Sequence, residues 1–263
     1  MTAIETIGTK EWADKNVNCY FGCPYNCPYC YAKRMWKRFK EKRKYPMKKW
    51  EEFYPNLKAI NKKYKKIEGR IMFPSTHDII DWDYICRYED GTTEKRNIKE
   101  DCFIVLKKIL EVGNEVLITS KPSYKVITEL IKKFTIYINQ IQFRFTITTG
   151  DSYIAKENEP YAPCIEERFM SLIYSFEHGY KTSVSIEPFL DKDPIILIKH
   201  LAKYCTESIW LGIMSGRKYK YHDINNLRLI YTNLKNLPET IKNKIRLKDS
   251  IVNILKIRSN KIY

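Results

Sequence analysis

Two spacings of apolar residues alternate along this chain and predict its secondary structure. Short apolar runs typical of buried strands occur at residues 16–21, 70–74, 115–119, 140–148, 182–186 and 208–213, with a weaker run at 246–248. Between them the sequence predicts helices at residues 31–43, 48–65, 97–112, 123–134, 165–178, 194–204 and 224–234. The helix at 165–178 is followed by Gly179, a residue type common just past a helix end.

Strands that alternate with helices form right-handed βαβ units around a parallel sheet. Six such strands, with the weaker seventh, fit an α/β fold built as a partial (β/α)6 barrel of the TIM type better than a complete eightfold barrel. No linker, repeat or low-complexity boundary divides the sequence. We therefore expect a single domain over residues 1–263, with a core at 16–213 and a basic C-terminal extension at 214–263.

The charge of the chain points toward polyanions. Lys and Arg number 47 against 31 Asp and Glu, which gives a formal net charge of +16. A surface of this kind attracts nucleic acids in a salt-dependent way. The alternative is a coding bias, since Lys, Ile, Asn and Tyr are all frequent here. No apolar run is long enough to span a membrane, and the first residues lack a secretory pattern, so we expect a cytoplasmic protein without a membrane partner.

Four of the eight cysteines lie within twelve residues, at positions 19, 23, 27 and 30. In a large chain without a secretory signal, such a group indicates metal rather than disulfides. Cys23, Cys27 and Cys30 have the spacing C-x3-C-x2-C on one loop between a strand and a helix. Three thiolates so arranged predict a [4Fe–4S] cluster with one iron left for an outside ligand, which the amino and carboxylate groups of S-adenosylmethionine (SAM) can supply.

Two alternatives remain for these cysteines. The first alternative is that Cys27 and Cys30 are half of a zinc site. Zinc ribbons, however, bring a second C-x-x-C pair or a pair of histidines, and the sequence has neither. Cys19 is a candidate fourth ligand of a closed electron-transfer cluster. It lies on the predicted strand, however, where its side chain can instead point into the core.

The cysteine motif, with an aromatic residue at Tyr29 before the last cysteine, resembles the signature of the radical SAM superfamily. Further segments resemble the branch that includes spore photoproduct lyase, and together with the cysteine motif they cover residues 16–190. These segments are Pro-Ser-Thr-His-Asp at 74–78, Leu-Ile-Thr-Ser-Lys at 117–121, Thr-Ile-Thr-Thr at 146–149, Glu-Pro-Tyr-Ala-Pro at 159–163 with Glu-Glu-Arg at 166–168, and Ser-Ile-Glu-Pro at 185–188.

The resemblance implies positions for the cofactor. Tyr29 would pack near the adenine of SAM. Ser75 and Thr76 stand where many members carry Gly-Gly-Glu to hold the methionine amino group. This departure makes Asp78 a competing candidate for that contact.

Later strand ends are expected to complete the site. The resemblance implies that Lys121 pairs with the SAM carboxylate, a role that suits a point charge at a strand end. The alternative for Lys121 is a solvated helix start before Pro122. Thr148 and Glu187 would face the ribose or the substrate. The residue that donates a hydrogen atom cannot be placed, and Cys164 is a guess.

The expected reaction is reductive cleavage of SAM to a 5′-deoxyadenosyl radical, which abstracts hydrogen from a substrate and requires a reducing electron donor of the flavodoxin or ferredoxin type. The net charge and the resemblance favour DNA or RNA as the substrate, for repair or modification. One alternative is a radical enzyme acting on a peptide or small metabolite; another is a non-catalytic iron–sulfur or zinc protein that binds nucleic acid. The basic stretch 33–45 interleaves cations with aromatic residues, which suits nucleic acid or an amphipathic helix with its aromatic side chains in the core.

Overall fold

The computed structural model describes residues 8–43, 47–88 and 90–262. Its strands are β1 (Lys15–Asn16), β2 (Tyr20–Phe21), β3 (Tyr54–Pro55), β4 (Arg70–Phe73), β5 (Asp83–Arg87), β6 (Thr93–Asn97), β7 (Glu115–Ser120), β8 (Ile141–Thr146), β9 (Lys181–Ile186), β10 (Ile209–Leu211) and β11 (Ile245–Leu247). Its α-helices are α1 (Tyr31–Arg43), α2 (Leu57–Ile60), α3 (Ile98–Glu111), α4 (Tyr124–Lys133), α5 (Ser152–Asn158), α6 (Ile165–Glu177), α7 (Ile195–Ala202), α8 (Ile224–Lys235), α9 (Glu239–Lys242) and α10 (Asp249–Leu255). Among these described helices, none has the length and apolar character needed to cross a membrane.

Seven strands form one parallel sheet in the order β1-β4-β7-β8-β9-β10-β11. The strands follow one another across the sheet in chain order, as the sequence predicts. Since all seven run the same way, their carboxyl ends lie at one edge of the sheet. The loops that follow β4, β7, β8 and β9 therefore meet at this edge, where parallel α/β folds bind ligands.

Alternating residues give the sheet two different faces. On β8, Phe143 and Phe145 are fully buried in the main apolar core together with side chains of the flanking helices. Gln142 and Arg144 lie between them in sequence and therefore point to the opposite face. Arg144 is only 3% exposed there, so this second face is also covered.

Two predictions at the start of the chain are wrong in part. The single strand expected at 16–21 is two pieces, because the backbone leaves the sheet after Asn16 and β2 pairs antiparallel with β3. The helix expected at 48–65 is replaced by a 3-10 turn (Trp50–Glu52), β3 and the four-residue α2. Pro55 explains the second error, since proline breaks the hydrogen bonding of a helix interior.

Four further segments were missed by the pattern of apolar residues. The antiparallel hairpin of β5 and β6 follows β4, and its turn includes Gly91 at a φ of +83°. The short helices α5, α9 and α10 were also not predicted. The strand expected at 246–248 is present as β11, which brings part of the C-terminal region into the sheet.

A short N-terminal segment, residues 8–14, contacts β4, the second strand of the sheet, and also the residue that follows β11, the last strand. The Arg70 backbone N–H donates to Asp14 Oδ2 at 2.8 Å, and its guanidinium donates to the Trp12 carbonyl at 2.8 Å. On the other side, Lys248, just after β11, pairs with Glu11 at 2.8 Å. The Lys248 ammonium also lies 4.3 Å from the centre of the Trp12 ring. One segment thus holds β4 and β11 together.

The Glu11–Lys248 pair predicts a stability effect. Both side chains are less than a tenth exposed, at 7% and 8%, so Glu11→Ala leaves a buried ammonium without its partner. We expect a loss of about 3–5 kcal/mol in the free energy of unfolding, measured by urea denaturation. The control is Glu41→Ala, which removes the exposed Lys40–Glu41 pair and should change stability by about 1 kcal/mol or less. Equal effects of the two substitutions would contradict the clamping role of the N-terminal segment.

Candidate iron–sulfur and cofactor site

The cysteine loop, residues 22–30, connects β2 to α1 at the carboxyl edge of the sheet. Gly22 has a φ of +83°, and a Cβ there would lie 2.9 Å from the Phe53 Cα and collide with the Trp50 carbonyl. That carbonyl accepts a hydrogen bond from the Cys23 N–H at 3.1 Å. Asn26, at a φ of +47°, turns the chain and donates its N–H to the Cys23 carbonyl at 3.3 Å. The loop is therefore tight and anchored against the 3-10 turn.

The three thiols of the loop lie in a small apolar cluster that includes Trp36 and Trp50 and is separate from the main core. Cys23 and Cys27 are buried, while Cys30 is half-buried and its Sγ accepts the Lys33 N–H at 3.4 Å in the first turn of α1. Cys30 thus lies at the N-terminus of α1, where its sulfur contacts the helix backbone.

Burial controls the protonation of the other two thiols. It raises the pKa of Cys23 well above the usual value, and the neighbouring charges of Asp78, Cys27 and Cys30 add to this effect. It raises the pKa of Cys27 to about 11, although the positive charge of Lys121 acts in the opposite direction. Thiols of this kind lose their protons when a metal takes the proton's place.

The three loop thiols do not form a group as compact as the ligands of one zinc ion. Four sulfurs around one zinc, each about 2.3 Å from it, would lie about 3.8 Å apart. Among the described residues, the Cys23, Cys27 and Cys30 sulfurs do not all fall within 4.8 Å of one another.

A second group of potential ligands, Cys19, His77 and Cys102, does lie within 4.8 Å and is fully buried. The hydrogen bonds of His77 explain this group without a metal. Its Nε2 accepts the N–H groups of Cys19 at 3.0 Å and Tyr20 at 3.2 Å, and its Nδ1 lies 2.9 Å from the Asp78 carbonyl, to which it donates. Both ring nitrogens are therefore engaged with the backbone.

Cys19 belongs to a different part of the molecule from the other three clustered cysteines. It has 0% exposure and packs with Cys102 in the main core, whereas the cysteine loop packs in the separate small cluster. This placement favours the interpretation of Cys19 as a core residue.

The loop after β4 is positioned by a residue that sequence reasoning missed. Asn18 Oδ1 accepts the N–H groups of Ser75 at 2.7 Å and Thr76 at 2.9 Å, and its amide donates to the Ser75 hydroxyl at 3.0 Å. Asn18 lies where the chain leaves β1, and its partners are 57 and 58 residues away in the sequence, so no local pattern predicts this contact. Ser75 and Thr76 are thus fixed next to the start of the cysteine loop.

Asp78 connects the β4 loop to the end of β7. Its Oδ1 accepts the Lys121 N–H at 2.7 Å and the Ser120 hydroxyl. Burial raises the pKa of Asp78, and the charge of Lys121 partly offsets that rise. Asp78 therefore holds Lys121 in place through its backbone.

Lys121 lies among negative charges. Its ammonium is 4.0 Å from Glu159 Oε1 and 5.5 Å from the centre of the Tyr29 ring, and its side chain is 15% exposed. Burial alone would lower the pKa of Lys121, but the nearby Cys27, Glu159 and Asp78 raise it above the usual value. The residue is a charged lysine beside the cysteine loop.

Glu159 is the centre of a buried network. It is the first residue of the segment at 159–163, for which the sequence predicts no role. Its side chain has 0% exposure, and Arg168 Nη1 lies 2.5 Å from its Oε2. The Thr148 hydroxyl donates to its Oε1 at 3.1 Å, and the Tyr29 hydroxyl donates to the same oxygen. Burial acts to raise the pKa of Glu159, but Lys121 and Arg168 lower it below the usual value.

The structure therefore brings together most of the expected positions. Tyr29, Lys121 and Thr148 converge on Glu159, while Asp78 binds the end of β7. Ser75 and Thr76 lie on the adjoining loop.

Two of the expected residues lie elsewhere. Glu187 follows β9, and its carboxyl lies near the charges of Lys248 and Arg144. Burial raises the pKa of Glu187 above its usual value, and these two cations offset only part of that rise. A Cβ on Gly212 would lie 2.7 Å from the Glu187 side chain, so a glycine is needed there. Cys164 is exposed and precedes α6 at its N-cap.

Comparison with known proteins finds similarity over most of the chain. No protein-family model matches the sequence. Over 250 residues the chain is 26% identical to the uncharacterized protein MJ0683 of Methanocaldococcus jannaschii, which covers 91% of this chain and 85% of that protein. Over 246 residues it is 25% identical to the uncharacterized protein ORF301 of Acidianus two-tailed virus, which covers 86% of this chain and 76% of that protein.

The buried state of His77 predicts a pH effect on stability. Burial lowers the pKa of His77 from 6.5 to about 4. The contribution of the neutral His77 to stability is therefore fully present above pH 6.5, decreases as the pH falls from 6.5 to about 4, and is lost below that pH. Between these two pH values the loss is about 1.4 kcal/mol per pH unit. In urea titrations, His77→Gln should show a flatter dependence than the wild type, whereas the exposed His200→Gln should keep the wild-type profile. A His77→Gln profile identical to that of the wild type would contradict the assignment of a neutral, hydrogen-bonded His77.

Proposed function

We propose that the chain is a radical SAM enzyme that holds a [4Fe–4S] cluster through Cys23, Cys27 and Cys30. The observation that carries this proposal is the placement of three cysteines on one anchored loop, with the ammonium of the partly buried Lys121 beside it. Burial keeps Cys23 and Cys27 protonated until a metal displaces the protons. A cluster held by these cysteines would supply the electron, taken from an outside donor, for reductive cleavage of SAM to methionine and a 5′-deoxyadenosyl radical, the species that would abstract hydrogen from a substrate.

The residues around the loop suit the groups of SAM. Lys121 offers a positive charge for the carboxylate, and Asp78 fixes its backbone. Asn18 orders the loop of Ser75 and Thr76, where the amino group would bind. Tyr29 presents its ring beside Lys121, in the region proposed for the adenine.

Lys121 is the cation that lies nearest to the thiols. Arg168 pairs with Glu159, whereas the Lys121 ammonium is 4.0 Å from the same carboxylate and also interacts with Cys27 and Asp78. Lys121 can therefore exchange part of this pairing for a carboxylate ligand. In a buried site such pairing is strong, because the local dielectric is low.

We further propose that the sheet curls into a partial barrel around the second face. In a flat sheet β4 and β11 would be about 24 Å apart, at about 4.8 Å per strand. Trp12 contacts Arg70 on β4, Lys248 after β11 and Arg144 on β8. A single residue in contact with these three strands supports a curled sheet, and Arg144 and Glu187 would then line its interior.

The proposal is tested by anaerobic reconstitution with iron and sulfide, reduction with dithionite in the presence of SAM, and an assay for 5′-deoxyadenosine. We expect about four irons per chain, as a [4Fe–4S] cluster requires, together with formation of the nucleoside. Cys27→Ala should lose both, while Cys164→Ala, which changes an exposed cysteine outside the loop, should keep both. A cluster that forms without any SAM cleavage would overturn the proposal.

A second test addresses Lys121. Loss of a charge-assisted contact worth about 1.5–3 kcal/mol should raise the SAM concentration needed for half-maximal cleavage by about 10- to 100-fold in Lys121→Met. Iron content should stay unchanged. Lys125→Met provides the matched control, since Lys125 is exposed and pairs with Asp81 instead. An unchanged SAM dependence in Lys121→Met would remove Lys121 from the cofactor site.

A further inference from the structure

A continuous groove runs along the outer side of the edge strand β1. It consists of two adjoining cavities of about 410 and 190 Å³, and both are lined by Lys15, Val17, Lys62 and Tyr64. We call this feature the β1 groove. One end of the groove is lined by Gly22, the first residue of the cysteine loop, by Tyr31, which follows that loop, and by Thr76. It continues past β1 to Lys63 and Lys65.

The described lining of the β1 groove carries positive charge and no negative charge. Among the described residues that line the two cavities, none is Asp or Glu. In the part of the chain that the structure describes, its lysines form no ion pair with a carboxylate. The cations of the groove are Lys15, Arg43, Lys58, Lys62, Lys63 and Lys65.

This lack of acidic residues is local rather than general. The chain as a whole has 31 carboxylate side chains against 47 cations, so a random set of six cations would be accompanied by about four carboxylates. Unpaired lysines that line a concave surface attract anions most strongly, because the walls focus the field. The groove is therefore built for a polyanion.

Aromatic side chains lie at the end of the groove next to the cysteine loop. Tyr31 is 55% exposed, and Trp36, Trp50 and Tyr64 line the walls. Trp36 and Trp50 are themselves buried, at 6% and 4% exposure, so the rings that a ligand can reach are those of Tyr31 and the half-buried Tyr64. Accessible aromatic faces beside lysines suit the bases of a nucleic acid more than they suit an acidic peptide or a lipid surface.

We propose that the β1 groove binds a single-stranded nucleic acid, with its phosphates along the lysines and its bases against the aromatic residues near the cysteine loop. In a duplex the bases stack on one another inside the helix, so the accessible rings of the groove can stack only on unpaired bases. The groove then delivers the strand to the cysteine loop. This delivery rests on the proposed radical chemistry, whereas the binding itself does not.

Binding is tested by fluorescence anisotropy with labelled 20-nucleotide oligo(dT) and oligo(U), and with a duplex of the same length. The groove variant carries Lys58→Glu, Lys62→Glu and Lys65→Glu. The control variant carries Lys199→Glu, Lys203→Glu and Lys235→Glu, exposed lysines on or next to α7 and α8, so the net charge changes by the same amount. A Lys→Gln version of the groove variant, and thermal unfolding of all variants, separate binding from folding.

We expect the groove variant to bind single strands at least tenfold more weakly at low salt, and the control variant less than threefold. Because three phosphates no longer meet a lysine, the slope of log K against log salt should fall by roughly two, at about 0.7 per phosphate. Equal weakening by both variants would show bulk charge attraction only and overturn the proposal. Duplex, polyglutamate or anionic vesicles bound as tightly as the single strand would overturn the assignment of the ligand.

The assay for 5′-deoxyadenosine separates this proposal from the radical chemistry. With dithionite and no nucleic acid, the groove variant should cleave SAM as the wild type does. A single strand should change the rate of cleavage in the wild type and not in the groove variant. Groove-dependent binding without any cleavage would leave the β1 groove established and overturn the radical function, whereas cleavage that no strand affects would overturn delivery.

Discussion

One buried carboxylate, that of Glu159, holds the candidate site together. It lies between α5 and α6, and it contacts the cysteine loop through Tyr29, β8 through Thr148, and the cations Lys121 and Arg168. Arg168 is fully buried and Lys121 is partly buried, and two such cations would be unstable without a negative charge between them. Because Glu159 neutralises one and partly balances the other, a positive charge can be kept beside the thiols. The position of Lys121, and with it the proposed recognition of a carboxylate, depends on this pairing.

The parallel sheet makes this arrangement possible. Each strand ends at the same edge, so residues far apart in sequence meet there: Asn18 with the loop at 75–76, and Asp78 with Lys121. The thiols are anchored from the other side, by backbone contact between Cys23 and Trp50. The positive charge of the β1 groove adjoins the same loop. Cofactor chemistry and polyanion binding would thus share one edge of the molecule.

The sequence predicts the parts of this molecule that depend on local pattern. Apolar runs locate β7, β8 and β9 within two residues at each end, and the cysteine spacing identifies the loop. Local pattern fails where a distant contact decides the structure. The helix expected at 48–65 ignores Pro55, and the roles of Asn18 and Glu159 depend on partners that lie 57 and 130 residues away. The composition shows that the chain is basic. Only the fold shows that six cations line one groove whose described lining contains no Asp or Glu.

The central claim is that three cysteines hold the cluster and leave one iron for SAM. Electron paramagnetic resonance of the reduced, reconstituted protein tests this claim most directly, with spectra recorded before and after SAM is added. The account predicts that SAM shifts the cluster signal in the wild type and in Cys19→Ala alike. A signal that SAM leaves unchanged in the wild type, and that disappears in Cys19→Ala, would contradict it and identify a closed cluster with Cys19 as its fourth ligand.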